Sequence, residues 1–213
     1  EITDRNSEKI GTIVSSAIGG LTTLEQGTKT IMASGPRRVS PFTIPMLMPN
    51  GASGLIAIDS GARGPALSVS SACASGSDGI GLAWQLIRAG VLDVAIAGGT
   101  EATICGIAVG AFDRLGAMSR RNEDYSMTPQ PFDRDRDGLV MGEGAAVLIL
   151  EESNTAKERG AQILAELSGY GATADSFHIT APQEDGSGGA AAIKYALETA
   201  GITSAEVDYI NAH

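Results

Sequence analysis

The chain has 213 residues, 43% of them apolar and 28 of them glycine, enough for one large domain or two small ones with a core that needs no metal or cross-link. A net charge of −10 argues against nucleic acid or an anionic membrane surface as the main partner. Two cysteines, Cys73 and Cys105, with no CxxC or Cys/His cluster, argue against a disulfide framework and a structural zinc, while no apolar run is long enough to cross a bilayer and no secretory leader is visible.

These features together point to a soluble protein of a reducing, cytoplasmic compartment. The elements alternate along the chain. Residues 10–16 form a short apolar run that ends near Gly19-Gly20, and residues 21–32 are expected to be helical. Residues 36–49 hold four prolines and are expected to form an extended loop. Residues 52–60 are expected to form a helix closed by Gly61. Residues 65–69 then read as a strand running into a helix whose buried face is Ile80, Leu82, Ala83, Leu86 and Ile87. Residues 91–97 read as a buried strand stopped by Gly98-Gly99, and 111–131 as a polar surface excursion. Further strands are expected at 145–150, 163–167 and 207–210, with helices at 153–159 and 190–200 and a Gly- and Ser-rich loop region at 169–189. This alternation predicts an α/β layer fold with a largely parallel sheet. The boundary between two halves is expected near 160–162, giving 1–161 and 162–213.

The richest stretch is Ser71-Ala72-Cys73-Ala74-Ser75-Gly76, where strand, sharp turn and helix meet at a single cysteine. Unpaired backbone N–H groups and the dipole at a helix start favour a thiolate, the reactive form, and small neighbours leave room for a substrate. The local context leaves a buried structural cysteine open as the alternative. Ser75-Gly76-Ser77-Asp78-Gly79 approaches the G-x-S-x-G nucleophile elbow but lacks its first glycine. Gly79-x-Gly81 lacks the third glycine of a dinucleotide fingerprint. Gly98-Gly99-Thr100-Glu101 reads as a tight turn requiring positive φ, with Glu101 an acid, a base or, better, a cap on nearby backbone. Asp133-x-Asp135-x-Asp137-Gly138 begins like a calcium loop, but Gly144 stands where the bidentate glutamate belongs, so a charged turn is the better reading. His213 ends an apolar strand-like run, and a thiol with a histidine elsewhere in the chain suits nucleophilic acyl chemistry.

Several segments, in order, resemble one family. Gly64-Pro65, Ser71-Ala72-Cys73-Ala74-Ser75-Gly76 and Ala97-Gly98-Gly99-Thr100-Glu101-Ala102 resemble condensing enzymes of the thiolase superfamily. Pro131-Phe132-Asp133-Arg134-Asp135-Arg136-Asp137-Gly138, Gly142-Glu143-Gly144-Ala145 and Asn211-Ala212-His213 are similar to the β-ketoacyl-acyl-carrier-protein synthases of type II fatty acid synthesis. Ser-Ala-Cys-Ala-Ser and Asn-Ala-His lean toward the fatty acid enzymes rather than polyketide ketosynthases, and Cys73 argues against a non-catalytic partner subunit.

The resemblance implies a layered αβαβα thiolase-like fold, here most of the N-terminal half and the start of the C-terminal half. It implies Cys73 as the acyl-accepting nucleophile and His213 as one of two histidines that stabilise the malonyl thioester oxygen. Ile18 and Phe112 would line the acyl pocket, His178 and Thr180 would border its entrance, and residues 42–44 would lie at a homodimer interface. Arg37 and Arg38 would receive an acidic acyl carrier protein, and neither metal nor organic cofactor is required. The family's second histidine, its lysine loop and the Phe that completes its oxyanion hole fall beyond His213. The chain is therefore expected to be a fragment, inactive on its own.

Overall fold

The computed structural model describes residues 2–213, which fall into two compact units, 2–150 and 151–213. In the first, four strands form one sheet in the order β2-β1-β3-β4: β1 is Ile10–Ser15, β2 Ala66–Leu67, β3 Val94–Glu101 and β4 Gly144–Glu151. β1 runs parallel to both neighbours, with Ile10 opposite Val94, Ser15 opposite Gly99 and Thr12 opposite Ala66. All six residues of β1 are buried, as a central parallel strand covered on both faces must be.

Helices α1 (Leu21–Ser34), α2 (Thr43–Leu47) and α3 (Gly51–Ser60) follow β1, and α4 (Ser75–Arg88) follows β2. α3 and α4 take opposite faces of the sheet. On one face the Thr12 hydroxyl donates to the Ser53 carbonyl of α3 at 3.0 Å. On the other, Ile13, Ala95 and Ala97 pack with Ala83 and Leu92, flanked by Ile80, Leu82, Leu86, Ile87 and Leu150. The predicted apolar face of α4 is therefore the core-forming one. Gly61 closes α3 in the left-handed conformation at φ 78°.

Three departures from the sequence reading have clear causes. Residues 36–49 are not extended: a 3₁₀ turn at Pro36–Arg38 and α2 occupy part of them, because proline is tolerated in a first helical turn. β3 does not stop at Gly98-Gly99 but continues through both to Glu101. Those glycines serve close approach, not a turn: a Cβ on Gly98 would lie 2.1 Å from the Ala146 carbonyl oxygen, and one on Gly99 would lie 2.9 Å from the Gly76 Cα. β3 also begins at Val94, because the amides of Val91 and Leu92 first donate to the Leu86 carbonyl at the end of α4.

β2 is two residues long where five were expected, because side-chain hydroxyls replace the ladder. The Val14 amide donates to Ser53 Oγ at 2.8 Å and the Ser53 hydroxyl donates to the Leu67 carbonyl at 2.6 Å. Beyond it, the Val69 amide donates to Ser15 Oγ at 3.1 Å and the Ser16 amide to Ser68 Oγ at 3.2 Å. The chain leaves the sheet while its polar groups stay satisfied.

After β3 comes α5 (Gly106–Arg114), whose last turn enters the expected surface excursion; the rest of that excursion holds a single β-bridge from Met118 to Leu139 and a 3₁₀ turn at Tyr125–Met127. The second unit contains α6 (Ser153–Glu158) and α7 (Ser187–Ala200). The strands expected at 163–167 and 207–210 are absent: neither segment has a ladder partner among the described residues, and Leu164 is 89% and Ile210 65% exposed. Residues 169–171 instead press on α7, where a Cβ at Gly169 or Gly171 would come 2.3 Å from the carbonyl oxygen of Ala196 or Ala192. No helix among the described residues is long and apolar enough to cross a membrane.

The glycines divide into interlocked and free ones. Gly99→Ala is expected to destabilise the intact protein by about 1–3 kcal/mol, since its Cβ meets backbone that cannot rotate away. Gly189→Ala, in α7 with nothing within 4 Å, is expected to gain roughly 0.5–1 kcal/mol by restricting the unfolded chain. Denaturant midpoints of the two variants check both signs.

Candidate active site

The turn before α4 is built by short polar side chains. The Ser71 amide donates to Ser75 Oγ at 3.0 Å, the Ser75 hydroxyl donates to the Ala72 carbonyl at 2.6 Å, and the Ser71 hydroxyl donates to the Asp78 carboxylate. This clasp holds Ala72 at φ 53°, a left-handed conformation that costs a non-glycine residue on the order of 1–2 kcal/mol. The reversal lifts Cys73, a free and exposed thiol, two residues ahead of the first helical residue, Ser75. β1 and β2 both run toward this turn, so the thiol stands beyond the carboxyl ends of parallel strands, where open α/β sheets place their ligands. In this chain Cys73 is thus not a buried cysteine.

Cys105 has a different setting. It is half-buried at the N-cap of α5, and its thiol is hydrogen-bonded to the carboxylate of Glu25 on α1. Glu25 also pairs with Lys29 and accepts the Ile107 amide at 2.9 Å. Led by the Lys29 contact, these donors hold its carboxyl at about 2.

A second loop, residues 16–20, is tied to the segment that leads to Cys73. The Ser70 hydroxyl donates to the Ser16 carbonyl at 2.9 Å. Glu101 accepts the Ser16 hydroxyl at 3.0 Å and the Ala17 amide at 2.8 Å, so this carboxylate does cap backbone. On its far side the loop presses on residues 46–47: the Gly20 amide donates to the Leu47 carbonyl at 3.1 Å, and a Cβ on Gly20 would lie 2.0 Å from the Met46 carbonyl oxygen. Ile18, at the centre of this loop, is 43% exposed.

The remaining predicted residues lie in both units. Phe112 is half-buried on α5. Arg37 and Arg38 are exposed on the 3₁₀ turn after α1, and neither enters an ion pair among the described residues. Phe42 and Ile44, at the start of α2, are 67% and 65% exposed. In the second unit His178 Nδ1 accepts the amides of Thr180 and Ala181, each at 3.2 Å, which draws His178 and Thr180 into one exposed turn. His213 is exposed in a segment without regular structure.

The acidic repeat acts as a clasp. Asp137 accepts the Ser119 hydroxyl at 2.9 Å and the Arg120 amide at 3.0 Å and faces Arg121, which together hold its carboxyl below the usual range. Asp133 accepts the Asp135 amide at 2.7 Å. The serines at 16, 53 and 68 and the carboxylate of Glu25 were not singled out in the sequence. The cluster Ser68, Ser70, Ser71, Ser75 beside an apolar strand was the available signal for the hydroxyl ladder.

Comparison with known proteins agrees with this geometry. Residues 1–156 match the β-ketoacyl synthase N-terminal domain and residues 164–213 the C-terminal domain. The chain is 46% identical over 213 residues to 3-oxoacyl-[acyl-carrier-protein] synthase 2 of Staphylococcus aureus (strain N315), all of this chain and 51% of that protein. It is 47% identical over 212 residues to the synthase 2 of Synechocystis sp., again 51% of that protein. The chain thus spans about half the length of the curated relatives it matches. Among solved structures, a β-ketoacyl synthase from Burkholderia phymatum superimposes with a TM-score of 0.90 at 38% identity, covering all of this chain and 52% of that one. A ketosynthase in complex with its type II polyketide acyl-carrier protein superimposes with a TM-score of 0.94 at 33% identity, covering all of this chain and 54% of that one. The fold is accordingly thiolase-like, and the chain belongs to the β-ketoacyl synthase family.

Proposed function

We propose that the complete protein is a 3-oxoacyl-acyl-carrier-protein synthase of fatty acid elongation. The observation that carries this reading is the exposed thiol of Cys73 on a strained turn beyond the strand ends. In this reading Cys73 Sγ attacks the carbonyl of an acyl carrier thioester, and the carrier thiol leaves with a proton. Malonyl carrier protein then loses carbon dioxide as its carbon–carbon bond breaks, leaving an enolate. That carbanion attacks the acyl-enzyme carbonyl, a carbon–carbon bond forms, and the bond to Sγ breaks to release the 3-oxoacyl product. No electrons are exchanged with a cofactor, so neither metal nor organic redox group is required. His213 acts as a hydrogen-bond donor to the malonyl thioester oxygen as negative charge develops there.

Ile18 and Phe112 line the acyl pocket, while His178 and Thr180 border its entrance. Arg37 and Arg38 dock the acidic carrier protein, positive charge on an otherwise negative chain. Residues 42–44, apolar and exposed at Phe42 and Ile44, join a second copy in a homodimer. Residues 1–161 form the N-terminal half and 162–213 begin the C-terminal half of an enzyme that works in the cytoplasm. A polyketide ketosynthase is the second reading, favoured by the 0.94 superposition on a polyketide complex. The higher identity to the fatty acid enzymes, 46% against 33%, supports the first.

Iodoacetamide is expected to label Cys73 first in the intact protein, because the Cys105 thiol is held by Glu25. Peptide mapping that found the adduct on Cys105 alone would refute the assignment. Replacing Arg37 and Arg38 by Glu is expected to raise KM for acyl carrier protein well above that for a short pantetheine thioester, since only the protein substrate uses the patch. Equal effects on the two substrates would remove docking as their role. Ile18→Phe is expected to shorten the longest primer accepted while sparing short ones, which a chain-length series of acyl transfer rates measures.

A further inference from the structure

We propose that Glu101 is a positioning residue that sets acyl-chain selection by anchoring the Ile18 loop to the end of β3. The proposal rests on the functional reading above. It starts from Ser16, 6% exposed, whose amide, carbonyl and hydroxyl are all engaged, in four hydrogen bonds. Its amide donates to Ser68 Oγ at 3.2 Å and its carbonyl accepts the Ser70 hydroxyl at 2.9 Å. Its hydroxyl donates to Glu101 Oε1 at 3.0 Å and accepts the Gly19 amide at 2.8 Å. Glu101 Oε2 takes the Ala17 amide at 2.8 Å. One small network thus joins the end of β3, the approach to Cys73 and the loop that carries Ile18.

The alternative for Glu101, an acid or base in the reaction, fits this arrangement poorly. Both of its oxygens already accept hydrogen bonds from residues 16 and 17, and it is half-buried. A carboxylate so engaged is a fixed acceptor for backbone, not a shuttle for protons. The loop it holds is pressed on its other side against residues 46–47, so Ile18 is held from two directions. Releasing one side lets the isoleucine yield to a long chain without altering the Cys73 turn, whose own clasp is the separate contact of Ser71 with Asp78.

The test uses the complete protein with acyl carrier thioesters of increasing length. Glu101→Gln keeps one acceptor oxygen but replaces the other, and the carboxylate's charge, with an NH₂. It is expected to raise the ratio of long- to short-primer kcat/KM roughly tenfold, the order expected for one lost hydrogen bond to a carboxylate. Short-primer transfer and iodoacetamide labelling of Cys73 are expected to stay at the wild-type level. Ser16→Ala removes the shared Ser16–Glu101 bond from the other side and is expected to shift the ratio in the same direction, with the double variant falling short of the two single effects combined. Either single variant carries the test if the other fails to fold. An unchanged ratio, a uniform loss at every chain length, or additive effects would overturn the inference while leaving the functional reading in place. A wild type that forms no acyl-enzyme on Cys73 would overturn both.

Discussion

The structure depends on how closely α4 lies on the sheet. A Cβ on Gly79 would sit 2.4 Å from Ser15 Oγ and 3.2 and 3.3 Å from the carbonyl oxygens of Gly98 and Ile13, so the helix rests directly on β1 and β3. Gly76 and Gly99 meet in the same way where α4 crosses β3. Ala83, Ala95 and Ala97, all fully buried, continue the small contact behind them. The hydrophobic effect supplies the attraction, but shape sets the distance. Because the first turn of α4 is pinned to two strands at once, the turn before it has little freedom, and Cys73 is delivered to one place.

Hydroxyl groups do the work of connection around that contact. A parallel sheet normally ends where its ladder ends, leaving backbone donors and acceptors to find water. Here Ser53, Ser15, Ser68 and Ser70 supply partners in turn, so the chain peels away from β1 with its polar groups paired before it reaches Ser71. A serine ladder is shorter than a strand and can bend, which lets an extended segment become a reversal within a few residues. Glu25 plays a matching part at α5: lacking a cap of its own, that helix borrows a carboxylate from α1.

The divide between what was legible in the sequence and what was not follows this pattern. β1, α1, α3, α4 and α7 are local: periodic apolar positions, with glycine stops at Gly61 and Gly201, announce them. The nucleophile candidate was equally plain, since strand, small residues and helix meet at one cysteine. α5 was missed because its cap comes from Glu25, 82 residues before Ile107 in the chain. The length of β2 was overestimated because its apolar pattern is silent on hydroxyls arriving from α3. Gly98-Gly99 reads as a turn because glycine in sequence does not reveal whether φ or a neighbour requires it. The Ser16–Glu101 bond joins residues 85 apart, beyond any local pattern. The segments 163–167 and 207–210 carry strand-like residues, but a strand exists only beside another.

The interlocked glycines also constrain which mutational paths remain open to the chain. At Gly98 and Gly99 the obstacle to any larger residue is main chain, which no compensating side-chain change elsewhere can shrink. A single step away from glycine at Gly98 or Gly99 has no neutral neighbour, and a coordinated double step must still move a strand. Exposed positions such as Leu55 or Ile58 carry no such intramolecular bar within this chain. Drift is thereby channelled outward, and the part of the molecule nearest the thiol is the part least free to wander.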